Sequence, residues 1–189
     1  AALLVCACQP LTMDPAHGVE RTSALEITSV EPYGQFNGID YLRYVGRLDR
    51  ETTGLLLLTN DGDVANALQH PSGEVEREYR ATIVGVPDRP TLAALTSGVQ
   101  LEDGPAKVRR VWVERSEQVW SVVGLVLTEG RKREVRRLLE AVEHPVRALA
   151  RVRFGPIELG GLAPGAWREL NDEECRRLRE RSGVGGVTG

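Results

Sequence analysis

Three stretches of the chain gather side chains able to do chemistry together. The first is Val45-Gly46-Arg47-Leu48-Asp49-Arg50-Glu51-Thr52-Thr53-Gly54-Leu55-Leu56-Leu57-Leu58-Thr59-Asn60-Asp61-Gly62. It sets Arg47 and Asp49 close together in a glycine-bounded loop, directly before a very apolar run. A carboxylate at the mouth of a buried strand is held rigidly, and rigid placement is what nucleophilic attack requires. A turn with a local Arg–Asp pair accounts for the same residues, and composition alone favours that simpler reading.

The second stretch, Arg77-Glu78-Tyr79-Arg80-Ala81-Thr82, alternates like a strand and carries a tyrosine, a residue type more often core than site. The third is Leu127-Thr128-Glu129-Gly130-Arg131-Lys132-Arg133-Glu134-Val135-Arg136-Arg137-Leu138-Leu139. Part of its basic set, Arg131, Lys132, Arg133, Arg136 and Arg137, falls along one helical face. Such a face suits phosphates, although a solvated helix surface has the same composition.

Other candidates explain themselves more simply. Asp61-Gly62-Asp63 has the form of a cation-binding pair but sits where a helix needs its cap. His17, His70 and His144 are scattered beside Pro or Gly, with no Ser or Cys partner in view. Trp112 and Trp120 fall on paired strands and read as packing. Cys6-Ala7-Cys8 has no second Cys/His pair at zinc spacing, so no metal site is expected. With Cys175 the cysteines number three, which argues against a disulfide framework and for a reducing cytoplasm.

The elements that must position these groups can be read along the chain. Ala1 to Cys8 is apolar without a preceding basic segment, which predicts a buried strand rather than a signal peptide. A short strand is expected over Leu25–Val30, between turns at Asp14-Pro15-Ala16-His17-Gly18 and Pro32-Tyr33-Gly34-Gln35. The run 54–59 reads as a strand buried on both faces. A helix over Asp63–Gln69, capped by Asn60 or Asp61, should stop at His70-Pro71. Arg77–Val84 is a strand, and a helix from Pro90 to about Thr96 ends at Gly98. Lys107–Glu114 and Val119–Leu127 form a strand pair. A helix from about Lys132 to Ala141 carries the apolar stripe Val135, Leu138, Leu139 and Val142. A strand over Val146–Phe154, a glycine-rich loop and a helix over Glu173–Arg181 complete the chain, with a disordered tail at 182–189. Strands outnumber helices and their neighbours look antiparallel, so the expected class is α+β.

At 189 residues the chain suits one compact domain or two small lobes, and no stretch approaches a membrane span. A net charge of -3 argues weakly against a nucleic-acid partner. Mapping the charge weakens that: Lys107 through Arg153 holds 12 basic against 6 acidic residues, which suits a basic surface for phosphates on an otherwise acidic body and equally suits solvated helix and strand faces.

The Val45–Gly62 segment closely resembles the signature of the RsuA/RluB/RluE/RluF branch of RNA pseudouridine synthases. Arg77–Thr82 is similar to that family's basic-x-Tyr strand, with Arg where Lys is common. Residues 129–137 resemble its Glu-Gly-Arg-x-Arg-x-Val-Arg-Arg motif, with Glu134 where Gln or Ile is usual. The resemblance covers roughly residues 42 to 172. It implies a catalytic domain over 1–181 (1–40 being poorly matched), folded as a bent, mainly antiparallel mixed sheet with flanking helices.

The resemblance also implies roles. Asp49 becomes the nucleophile, attacking the target uridine at the sugar C1′ or, in an older scheme, at the base. Tyr79 stacks on the flipped base and assists proton removal from C5, and Arg131 ion-pairs with Asp49, with Arg133 and Arg136 close competitors. Val135 lies under the uracil. Arg47, which could equally brace its own loop, fills the gap left by the uridine or holds a phosphate, while Lys132, Arg133, Arg136 and Arg137 bind the backbone. No cofactor or metal is needed.

The implied substrate is ribosomal RNA or a ribosomal assembly intermediate, of the large subunit by preference and of the small subunit as the alternative, bound by a cytoplasmic monomer. A non-catalytic RNA-binding relative is the rival. The chain departs from the family at Ala7-Cys8-Gln9-Pro10-Leu11, where Asn-Lys-Pro-x-Gly is usual. The small RNA-binding S4 domain that commonly precedes this part has no counterpart in the sequence, so weaker RNA affinity is expected.

Overall fold

The structure, a computed structural model, describes residues 3–8 and 43–182. Strand β1 (Leu3–Cys8) is followed among the described residues by β2 (Arg43–Val45), β3 (Thr52–Thr59) and helix α1 (Gly62–Gln69). Next come β4 (Arg77–Val84), α2 (Arg89–Ser97), the small hairpin β5 (Val99–Leu101) and β6 (Gly104–Ala106), and the long pair β7 (Arg110–Ser116) and β8 (Trp120–Leu127). Helix α3 (Glu134–Ala141), β9 (Val146–Phe154), β10 (Ile157–Glu158), β11 (Trp167–Glu169) and α4 (Asp172–Ser182) close the fold.

The class is α+β, as expected. The main sheet runs β11-β1-β3-β9-β4-β8-β7, with β2 on β3 and β10 on β9. Its pairs are antiparallel except one: β3 and β9 run parallel, joined at Thr52–Leu149, Thr53–Ala150 and Gly54–Arg151. That parallel seam makes the sheet mixed but mainly antiparallel, as the resemblance implies, without the sequence saying which pair runs parallel. Distant strands have no turn to force their direction, so sequence alone leaves it open.

Local chemistry explains most boundaries. Asp61 caps α1, its carboxylate accepting the Val64 N–H at 3.0 Å, so the Asp-x-Asp pair is taken up by a helix start. Asp88 caps α2 in the same way, with Pro90 in its first turn. Helix α3 begins at Glu134 rather than at Lys132. Arg133 adopts a left-handed backbone with φ of 53°, which no helix continues through. Trp112 lies flat on the next strand, where a Cβ at Gly124 would fall 2.2 Å from its ring. The expected strand over Leu25–Val30, the turns around His17 and Tyr33, and the tail beyond Ser182 lie outside the described residues.

Two apolar cores share the sheet. One gathers Leu55, Leu57, Val64, Leu68, Phe154 and Leu178, covered by α1 and α4. The other gathers Ala81, Leu125, Val135, Leu138 and Leu149, covered by α3. Strand β9 belongs to both, contributing Leu149 to one and Phe154 to the other. The loop that carries Asp49 enters the sheet beside this strand. No helix among the described residues is long and apolar enough to cross a membrane.

Candidate active site

Asp49 closes the irregular segment between β2 and β3. Gly46 turns the chain with φ of 81°, a conformation that L side chains rarely adopt. The Thr52 N–H then donates to the Asp49 carbonyl at 2.8 Å, making a tight turn whose corner is Arg50-Glu51. The nucleophile candidate therefore sits half-buried at the mouth of a strand whose leucines are packed on both sides. Arg47, two residues earlier, is exposed and free to meet a large ligand.

Register ties this turn to the tyrosine strand. Gly54 of β3 pairs with Arg151 of β9, and Arg151 pairs with Tyr79 of β4. Tyr79 is half-buried against the α3 core, with Val135 of α3 packed into the same cluster. Val135 itself is only 5% exposed, so it forms a floor rather than a free surface.

The basic residues of the third stretch divide into two groups. Arg131 does not reach Asp49. Its Nε pairs with Glu129 at 2.9 Å and its Nη1 lies 3.9 Å from Asp103. Arg137 makes a two-pronged contact with the same Asp103, at 2.8 and 3.0 Å. Both are drawn toward the β5–β6 turn. The expected Arg131–Asp49 pair is thus corrected. Arg131 precedes the left-handed break at Arg133, and its backbone N–H is fastened to the Glu134 carboxylate at 3.0 Å, which turns it away from the helix face.

The other group faces the Asp49–Thr52 turn. Arg133 reaches the Glu51 carboxylate at 3.1 Å. Arg136 donates through Nη2 to the Glu51 carbonyl at 2.9 Å and through Nη1 to the Val146 carbonyl at 3.4 Å. Its side chain is 10% exposed, and its buried Nε has no hydrogen-bond partner among the described residues. Arg136 is therefore the cation that the fold locks onto the Asp49–Thr52 turn. Lys132 is exposed.

Glu134 anchors the loop before α3. It is 4% exposed, and burial pushes its carboxyl above the usual range, against the hydrogen bond from the Arg131 N–H. Its second oxygen is buried without a donor among the described residues.

Residues 7–141 match the RNA pseudouridylate synthase family. The chain belongs to that family. Ribosomal large subunit pseudouridine synthase B of Yersinia pestis is 51% identical over 137 residues, covering 72% of this chain and 43% of the relative. A protein of Aquifex aeolicus described as an RNA pseudouridine synthase is 44% identical over 140 residues, covering 74% of this chain and 56% of the relative. The chain thus spans less than two thirds of the length of these relatives. A crystal structure of a pseudouridylate synthase superposes with a TM-score of 0.74 at 26% identity, covering 94% of this chain and 73% of the other.

Sequence reasoning overlooked two residues of this family member. Asp103 neutralises Arg131 and Arg137, and nothing in its local pattern marks it, because the contact crosses from the β5–β6 turn to α3. Arg151 was passed over inside a strand. Its signal was partial: it shares parity with buried Leu149, but so do Arg147 and Arg153, which are exposed and half-buried.

Proposed function

We propose that this chain is the catalytic domain of a ribosomal RNA pseudouridine synthase, with large-subunit RNA as the preferred target. The observation that carries the reading is the register Gly54–Arg151–Tyr79, which joins the Asp49 turn to the tyrosine strand, with Arg136 locked onto the turn. Membership of the family and the large-subunit name of the 51% identical relative support it.

In this scheme an Asp49 oxygen attacks C1′ of the flipped uridine. The N1–C1′ bond breaks, and its electron pair leaves with the uracil. The base rotates, C5 bonds to C1′, and the Asp49–sugar bond breaks, returning its electron pair to the carboxylate. The C5 proton is removed and N1 is protonated, so the overall change is an isomerisation. The carboxylate supplies the covalent step, and the reading calls for no metal or cofactor.

Each remaining residue has a share. Arg136 takes the place first given to Arg131, holding the turn that carries Asp49 through the Glu51 carbonyl. Tyr79 offers an aromatic face to the base and a hydroxyl near C5. Val135 supports the ring, Arg47 enters the gap or holds a phosphate, and Lys132 and Arg133 meet the backbone. Arg131 and Arg137 act on RNA through the loop they brace.

The partner is ribosomal RNA or an assembly intermediate, met by a cytoplasmic monomer. Mapping pseudouridines in ribosomal RNA from cells with and without the protein tests the proposal. One large-subunit pseudouridine should disappear. An unchanged map would overturn it.

A further inference from the structure

Arg151 is the largest fully buried side chain of the described residues, only 1% exposed. It lies on β9 at the seam between the two cores, in register with Gly54 on one side and Tyr79 on the other. The pairing of β3 with β9 stops at Gly54, and the Arg151 Nε takes the next carbonyl, that of Leu55, at 2.9 Å. Its Nη1 reaches back to the Arg47 carbonyl at 3.3 Å. Its Nη2 is buried without a hydrogen-bond partner among the described residues.

The charge around it makes this placement expensive. The guanidinium stacks 5.1 Å from the Phe154 ring, and Arg77 approaches the same ring at 5.0 Å. Burial lowers the Arg77 pKa, Tyr79 opposes that, and the Arg151 charge adds to it. Within the described residues Arg151 donates to carbonyls and forms no carboxylate ion pair. A buried cation without a counter-ion is strongly unfavourable, and an apolar side chain of similar length would fill the seam without that penalty. What an apolar chain cannot do is hold two carbonyls in one rigid fork.

Those two carbonyls flank the nucleophile. Arg47 lies two residues before Asp49, and Leu55 lies just inside the strand that follows. We propose that Arg151 is a positioning residue for Asp49, strapping the backbone before the nucleophile to the strand after it so that the carboxylate keeps one place in the cleft. Arg136 holds the Glu51 side of the same turn, so the turn is fixed from both flanks. The inference rests on Asp49 being the nucleophile.

The test uses the full chain with Arg151→Met and Arg151→Lys, assayed by tritium release from large-subunit ribosomal RNA labelled at uridine C5. Both variants should lose about 100-fold in kcat, the scale of an ångström-sized misplacement, with KM for the RNA within about threefold of wild type. The lysine variant keeps the charge but not the fork, so it should not recover the rate. Amide exchange supplies a readout that a general packing role would not move selectively. The Thr52 N–H, which donates to the Asp49 carbonyl, should exchange faster, while the Tyr79 and Leu125 amides keep their protection.

Wild-type kcat in either variant would overturn the proposal. So would a uniform loss of protection, or failure of both variants to fold, since Arg151 would then be a strut for the whole sheet. Asp49→Ala is run beside them. If that variant still turns over, the nucleophile reading falls and takes the positioning role with it. If it is dead while the Arg151 variants work normally, only the positioning role falls.

Discussion

The guanidinium of Arg136 donates to the backbone carbonyl of Glu51 at 2.9 Å, so helix α3 is bolted to the turn that begins at Asp49. The contact spans 85 positions of the chain. It separates Arg136 from its neighbour Arg137, which points instead to Asp103.

That separation gives a direct comparison. Arg136→Met should lower kcat for pseudouridine formation about 100-fold, because the turn loses the bond that fastens it to α3. Arg137→Met should leave kcat within about threefold and change stability by roughly 1 kcal/mol or less, since Asp103 is half exposed and screened by solvent. Single-turnover rates and thermal melts on the two variants measure this. Equal rate losses would remove the distinction.

Asp49→Ala should abolish product while leaving RNA affinity within about threefold. The carboxylate acts on bonds, whereas phosphates dominate binding. Tritium release and equilibrium RNA binding, measured on one preparation, report both quantities.

Arg47 and Lys132 are exposed cations in the segments placed against RNA. Each alanine substitution should weaken binding and flatten the plot of log affinity against log salt by roughly 0.7–1. Affinities across a salt series give the slope. An unchanged slope for Lys132→Ala would take it out of the RNA interface.

Glu134 links pH to stability. Burial raises its folded pKa above the unfolded value, so the unfolded chain releases this proton first. Stability then falls as pH rises from the unfolded value, about 4.3, to the raised folded one. Glu134→Gln keeps an oxygen for the Arg131 N–H and carries no charge. It should be more stable than wild type at neutral pH, with the difference vanishing in acid below the unfolded value. Denaturant melts at several pH values would show it.

Gly54 tests the parallel seam. Its φ is 100°, and a Cβ there would lie 2.2 Å from the Arg151 carbonyl oxygen. Gly54→Ala should destabilise the fold by about 3 kcal/mol or more through strain and backbone collision. A melting temperature near wild type would mean that β3 and β9 are not this close.

Much of this was written locally in the chain. Arg77–Val84 and Val146–Phe154 appear as strands with the expected limits, because alternation is a property of neighbouring residues. Asp61 was legible as a cap for the same reason, and the run of leucines after Gly54 announced a strand buried on both faces. The motif around Asp49 named the nucleophile candidate, and the Arg-x-Tyr strand named Tyr79.

Choosing among the cations needed the tertiary structure. Arg131, Arg133, Arg136 and Arg137 are chemically alike, and only the family resemblance ranks them in the sequence, with Arg131 first and Arg133 and Arg136 as close competitors. One left-handed residue, Arg133, starts the helix later and turns Arg131 away from the face that meets the turn. Distant carboxylates then decide the rest: Asp103 takes Arg131 and Arg137, while Glu51 takes Arg133 and lies near Arg136. The buried place of Arg151 likewise exists only because β3 and β9 meet in parallel across almost a hundred residues. Sequence determined which side chains could do the chemistry, since type and local spacing are covalent facts. Which cation is fastened to the Asp49 turn follows from long-range packing, where partners far apart in the chain settle the choice.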